Sequence, residues 1–181
     1  MADSRYQPRG KRRCRIWRAS ARPSGRRVLR GLMTEIGFYH LTRTGPEQAL
    51  PQLLGRTLAA GERAMVLCGG PERVAALDTT LWLCPNPDWL PHGTARSGDA
   101  ALQPIWLTAQ DEAAPNGARF LFLIDGTASE RLHDYTRVFD LFDGSNEDAV
   151  AAARLRWKQA QNAGHTLTYW QQGPRGWEKK R

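Results

Sequence analysis

The run "RAMVLCGGPERVAALDTTLWLC" (Arg63–Cys84) holds two periodicities in succession. Arg63–Cys68 is short and apolar, with glycines on either side. A strand buried on both faces of a parallel sheet reads this way. After Gly69 and Gly70 comes Pro71, at a position where the first helical turn tolerates proline because its missing N–H has no intrahelical partner. Val74, Leu77, Leu81 and Trp82 then share one helix face, and Pro85 stops the helix. A buried strand that turns tightly into an amphipathic helix is one unit of an α/β fold.

The same grammar extends in both directions. "TEIGFYHL" (Thr34–Leu41) predicts a strand. A helix follows over 45–62, with Pro46 in its first turn, Leu50, Leu53, Leu54, Thr57 and Leu58 on its buried face, and Gly61 as its stop. Residues 85–100 are Pro/Gly-rich and predict mostly loop. Strands are expected over 103–109, 118–125 and 135–143, with a short helical turn over 127–134. Ser145 opens an S-x-x-D pattern that reads as a capping box for a helix from Asn146 to Ala163, ended by Gly164. Residues 165–170 predict a last strand and 171–181 a flexible, frayed tail. Strands alternating with helices imply α/β class: a three-layer Rossmann-like, mainly parallel sheet with helices on both faces. The α/β domain is expected over 33–170.

The formal net charge of +8 points first to nucleic acid. Its distribution argues otherwise. Residues 1–32 hold 11 Lys/Arg and one acidic residue, whereas the rest holds 15 basic and 17 acidic. The domain proper is therefore near neutral. The basic segment has no apolar h-region and is not a secretory signal. It reads as upstream sequence attached by choice of start codon (Met33 directly precedes the first strand), as a basic arm, or as a transit-peptide-like leader. All three predict disorder over 1–32, because the segment has too little apolar surface to offset its ordering entropy.

Cys14, Cys68 and Cys84 form neither a CxxC pair nor an even set, so no disulfide framework is expected. No run is long enough to cross a membrane as a helix. A cytoplasmic setting without a membrane partner is the expectation. The four histidines are scattered and predict no metal site. Gly69–Gly70 before a helix has the makings of a phosphate cradle, yet no G-x-G-x-x-G or P-loop surrounds it, and a tight turn is the favoured role. No G-x-S-x-G elbow occurs. With no assembled catalytic group and no expected cofactor, a binding protein is favoured over an enzyme.

Two patches have binding character. "LDTTLWLCPNPDWLPH" places Trp82 and Trp89 at either end of a Pro-rich turn. Trp82 falls on the apolar helix face and reads as core; Trp89, beside Leu90 in the loop, reads as a protein–protein anchor. In "ARLRWKQAQNAG" (Ala153–Gly164), Arg154, Trp157, Lys158 and Gln161 recur at i, i+3, i+4 and i+7 and share one helical stripe. An indole between two cations suits an aromatic side chain beside a carboxylate. The rival reading is direct binding of single-stranded nucleic acid by the basic arm and this stripe.

"IGFYHL" after Met33, "LDTTLW" leading through a Pro-containing turn to "WLPH", and "ARLRWKQAQNAG" before the last strand together resemble the chi subunit family of bacterial DNA polymerase III. The resemblance runs from Met33 to about Trp170. It implies a non-catalytic accessory subunit, Rossmann-like but without a bound nucleotide. It also implies attachment to the clamp loader through a psi-like subunit, a grip on the acidic, Phe-ended C-terminal tail of single-stranded DNA-binding protein, and contact with DNA only through these partners. Arg154 would receive the tail's carboxylate, Trp157 would pack on its Phe, and Lys158 would meet neighbouring acids. Gln161 stands where the family pattern can carry another Arg, and Phe142 would complete the apolar wall. Trp82, Trp89 and Leu90 match the psi-facing region, Trp89 in place of a Phe.

Overall fold

The computed structural model describes residues 33–87 and 89–181. The expected basic extension, 1–32, lies outside these residues.

Among the described residues there are eight strands: β1 (Glu35–Leu41), β2 (Ala64–Leu67), β3 (His92–Thr94), β4 (Ile105–Thr108), β5 (Phe120–Leu123), β6 (Arg137–Asp143), β7 (Thr166–Gly173) and β8 (Gly176–Lys179). They form one sheet in the order β3-β4-β2-β5-β6-β1-β7-β8. Every pairing is parallel except β7 with β8. Among the described residues, three α-helices cover it: α1 (Pro46–Ala59), α2 (Pro71–Trp82) and α3 (Glu147–Asn162).

Strand alternation sorts the side chains onto two faces. Tyr39 and Leu41 of β1, Val66 of β2, Phe122 of β5 and Phe139 and Leu141 of β6 pack against Leu50, Leu53 and Leu54 of α1 and Leu77 and Leu81 of α2. Ile36 and Phe38, Met65 and Leu67, Leu121 and Leu123, and Val138 and Phe142 face the other way, toward Ala153 and Ala160 of α3. The apolar run "FLFLI" (Phe120–Ile124) thus supplies both cores, as a strand covered on both faces must. The fold is the expected three-layer α/β sheet.

Several local expectations are corrected. The segment expected to be a loop over 85–100 contains β3, which pairs with β4 from His92 to Thr94. Three residues with a central glycine carry no readable periodicity; only the neighbouring strand makes them a strand. The cap of α3 is Asn146, whose Oδ1 accepts the N–H groups of Asp148 and Ala149 at 2.9 and 3.2 Å. Ser145 instead donates its N–H and hydroxyl to Asp143 Oδ1, at 2.8 and 2.7 Å. These bonds hold the Asp143 carboxyl below its ordinary range.

The largest correction concerns the tail. Residues 171–181 do not fray: β7 runs on to Gly173, turns, and pairs with β8. Trp177 packs edge-on to Tyr39 with ring centroids 4.9 Å apart, while Trp170 stacks on the same ring at 6.0 Å. Gln172 Oε1 accepts the backbone N–H groups of Thr42, Arg43 and Thr44 at 2.9–3.1 Å. The Gly-Pro-Arg-Gly turn reads locally as a chain end, and only distant partners turn it into a hairpin.

Candidate functional site

α3 is rich in alanine, and its inward residues Val150, Ala153, Trp157 and Ala160 follow helical spacing. Small side chains let the helix lie close to the sheet. Arg156, one position before Trp157, bonds the buried Asp140 of β6 through Nε and Nη2 at 2.7 and 2.8 Å. Burial pushes the Asp140 carboxyl up, and the two bonds from Arg156 oppose that shift.

This seat fixes the face that carries the stripe. Trp157 is half-buried, tilted against Phe38 with centroids 5.0 Å apart. Arg154, Lys158 and Gln161 lie outward of it and are exposed. Between helix and sheet a cavity of about 150 Å³ opens. Its sheet side is built by Phe38 and His40 of β1, Phe142 of β6 and Tyr169 of β7; its helix side is Val150, Ala153, Arg154 and Trp157. Arg154, Trp157 and Phe142 thus meet at one cavity. Lys158 and Gln161 do not line it and sit further along the exposed helix face.

Besides the apolar walls, four polar or charged side chains absent from the sequence-based site belong to this region. His40 stacks on Phe142 with centroids 5.0 Å apart and shares a 2.6 Å hydrogen bond with Tyr169 Oη through Nδ1. The Arg181 guanidinium lies 5.7 Å from the Trp157 ring centre, and Lys180 follows β8 beside Tyr169, its N–H bonded to the Tyr169 carbonyl. Burial raises the Tyr169 hydroxyl above its ordinary range, so it remains a protonated donor. The result is an apolar recess with cations at its rim. The alternation of β1 pointed to Phe38 and His40 as one face, but only strand register brings them to Phe142 and Tyr169.

The second patch lies at the far end of α2. Trp82 is 61% exposed, which overturns the core reading. Leu77 and Leu81 already fill the inward face; the next residue is turned about 100° further round the helix. Its indole rests instead on His92 of β3, with centroids 5.0 Å apart. A cavity of about 700 Å³ opens there, with Trp82, His92 and Trp106 among its walls. Leu83 and Trp89 are also exposed, at 76% and 69%, so three large apolar side chains face outward within eight residues. Leu90 is only 2% exposed and belongs to the core. It anchors the loop from inside and is not a surface contact, which corrects its placement with Trp89.

At the Gly69–Gly70 turn the chain supplies its own anion. Asp125 takes Arg73 Nε at 3.0 Å and the Gly69 N–H at 3.4 Å, and Arg73 also meets Glu47 at 2.6 Å. Among the described residues, no three His, Cys, Asp or Glu side chains form a metal-binding group. No helix of the described residues is long and apolar enough to cross a membrane.

No curated protein matches the chain. The family model described as DNA polymerase III chi subunit, HolC, matches residues 33–168, which include α3, the residues lining the cavity beneath it except Tyr169, and the Trp82–Trp89 patch. The chain belongs to the DNA polymerase III chi subunit family, accessory subunits of the polymerase in DNA replication.

Proposed function

We propose that the chain bridges the clamp-loader complex to single-stranded DNA-binding protein and performs no chemistry of its own. The observation that carries this is the cavity under Trp157 with Arg154 at its rim. A recess of about 150 Å³ lined by apolar side chains is large enough to admit one benzene-sized ring. The terminal Phe of the binding protein's acidic tail would enter it, and burying that ring contributes about 1.5–3 kcal/mol. The tail's carboxylate would then lie beside Arg154, whose planar fork can donate two parallel bonds. Lys158, Lys180 and Arg181 would meet the acidic residues upstream of the Phe. Gln161 contributes no charge, and the Arg181 guanidinium over the Trp157 ring would replace it in part.

Trp82 and Trp89 would face a psi-like subunit, holding the protein to the clamp loader. An exposed apolar patch of this kind is typical of a protein-interaction surface. DNA would be reached only through these partners, in the cytoplasm at the nucleoid-associated replisome.

Calorimetric titration with an acidic peptide ending in Phe, and separately with a single-stranded oligonucleotide, tests the reading. The peptide should bind the full chain and a chain starting at Met33 equally. Oligonucleotide binding should require residues 1–32 and vanish with added salt. Tight oligonucleotide binding by the Met33 chain, with no peptide binding, would replace the bridge by a direct nucleic-acid binder.

A further inference from the structure

We infer that His40 and Tyr169 form a second carboxylate-reading element of the cavity, and that protonation of His40 strengthens it. The inference rests on the reading that the cavity seats a peptide ending in a phenylalanine carboxylate.

The two residues and Arg154 are the polar groups lining a recess whose other walls are apolar. Their 2.6 Å contact holds one shared proton position between Nδ1 and Oη. The opposite nitrogen, Nε2, is buried and has no hydrogen-bond partner among the described residues. It lies against Gly144, where a Cβ would collide with it, so only glycine leaves room for the ring. A hydroxyl has a single proton to give. When Nδ1 is unprotonated, Tyr169 donates to it and has no proton for a ligand. When His40 is charged, both ring nitrogens carry protons. Nδ1 then donates to Tyr169 Oη, and the hydroxyl proton turns away from His40, where the cavity lies. One protonation thus adds a positive charge and redirects a donor, and both changes favour an anion.

The surroundings set the direction of the switch. His40 is faced by Tyr169 from β7, Phe142 and Asp143 from β6, and Arg154 from α3, with Lys180 near Tyr169. Burial holds the His40 imidazole below its ordinary range; the Gly144 backbone opposes it, the Arg154 charge adds to it, and Asp143 has a smaller opposing effect. The His40 ring is therefore mostly neutral at pH 7. A bound carboxylate screens Arg154 and attracts the imidazolium, so binding raises the His40 pKa and takes up a proton. By linkage, affinity then rises as pH falls through the window between the free and bound values. The flat contact with Phe142 suits the charged ring through its π face.

The test uses the full chain and an acidic peptide ending in a free Phe carboxylate, with its C-terminal amide as control, at pH 7.5 and 5.8. Peptide carboxylates stay ionised across this range. The free-acid peptide should bind about 3–10-fold more tightly at pH 5.8, corresponding to a shift of up to one pKa unit. The amide should show no such gain. His40→Leu should bind with nearly equal affinity at both pH values, and Tyr169→Phe, which keeps the His40 charge but loses the redirected donor, should retain only part of the gain. In the unaltered protein, the His40 imidazole resonances should titrate at higher pH once peptide is added, a readout independent of how the variants fold. Binding with equal affinity at both pH values overturns this inference alone. A pH gain retained in His40→Leu also overturns it. No peptide binding at either pH overturns the peptide-seat reading together with it.

Discussion

Arg156 on α3 meets Asp140 on β6 through two hydrogen bonds, Nε to Oδ2 at 2.7 Å and Nη2 to Oδ1 at 2.8 Å. Asp140 is only 3% exposed at its side chain and Arg156 14%, so this is a pair inside the protein. It sets the rotation of α3 about its axis. With Arg156 directed inward beside Trp157, the neighbouring Arg154 and Lys158 must lie toward solvent. The charge that reads as one more cation in "ARLRWK" is therefore structural.

Arg156→Ala should destabilise the domain by about 3–5 kcal/mol, because it leaves a buried carboxylate unpaired. The Asp140 carboxyl should also titrate higher, since burial would act without the opposing bonds. The double change Asp140→Leu with Arg156→Met should recover most of the lost stability, as apolar replacements of buried pairs commonly do. Denaturant unfolding of the three variants measures both effects. If Arg156→Ala unfolds like the parent protein, the pair does not seat α3.

Arg154→Ala should weaken binding of the Phe-ended peptide by about 1.5–2 kcal/mol, roughly 10–30-fold. Trp157→Ala should cost a similar amount with little dependence on salt, and it should also lower stability because the indole packs on Phe38. Lys158→Ala, at an exposed site outside the cavity, should cost about 1 kcal/mol or less and fade with salt. Removing the terminal Phe from the peptide should make Trp157→Ala nearly silent, since ring and indole form one contact. Equal losses against both peptides would show that the cavity does not receive the ring.

Trp89→Ala should leave the melting temperature almost unchanged and remove capture of the clamp-loader complex, a loss of about 2 kcal/mol or more for an interface anchor. Leu90→Ala should do the opposite. Its side chain is buried, so truncation should cost about 2–5 kcal/mol of stability. Thermal unfolding alongside pull-down separates the neighbours. A shared phenotype would mean the loop acts as one unit.

Deleting residues 171–181 should lower Tm by several degrees. The deletion strips Trp177 from Tyr39 and removes the Gln172 acceptor from three backbone N–H groups of the loop before α1. Peptide affinity should fall too, through loss of Lys180 and Arg181 from the rim. A truncated chain that melts and binds like the full one would make the hairpin an ornament.

The α/β class and the three helices were legible from residue order because the relevant periods are local. Apolar runs such as Ala64–Leu67 and Phe120–Leu123 mark strands covered on both faces, and the spacing of Leu50, Leu53, Leu54 and Thr57 marks a helix. The Arg154/Trp157/Lys158 stripe was legible for the same reason, since it needs only helical geometry. Local pattern is silent on partners far along the chain. Trp82 and Leu90 both read as apolar neighbours of one turn, and only the filled space beneath α2 sends the first outward and the second inward. Residues 171–181 look like a polar end until Tyr39 provides a surface for Trp177. His40, Phe142 and Tyr169 stand on three strands brought side by side by parallel register, which long crossovers make possible and which no short window of sequence records. The sequence by itself therefore determined the layers and the Arg154/Trp157/Lys158 helical stripe, through backbone geometry repeated every two or 3.6 residues. The cavity under that stripe, and the pair of polar groups at its end, were decided by tertiary packing, because they exist only where separate strands and a helix meet.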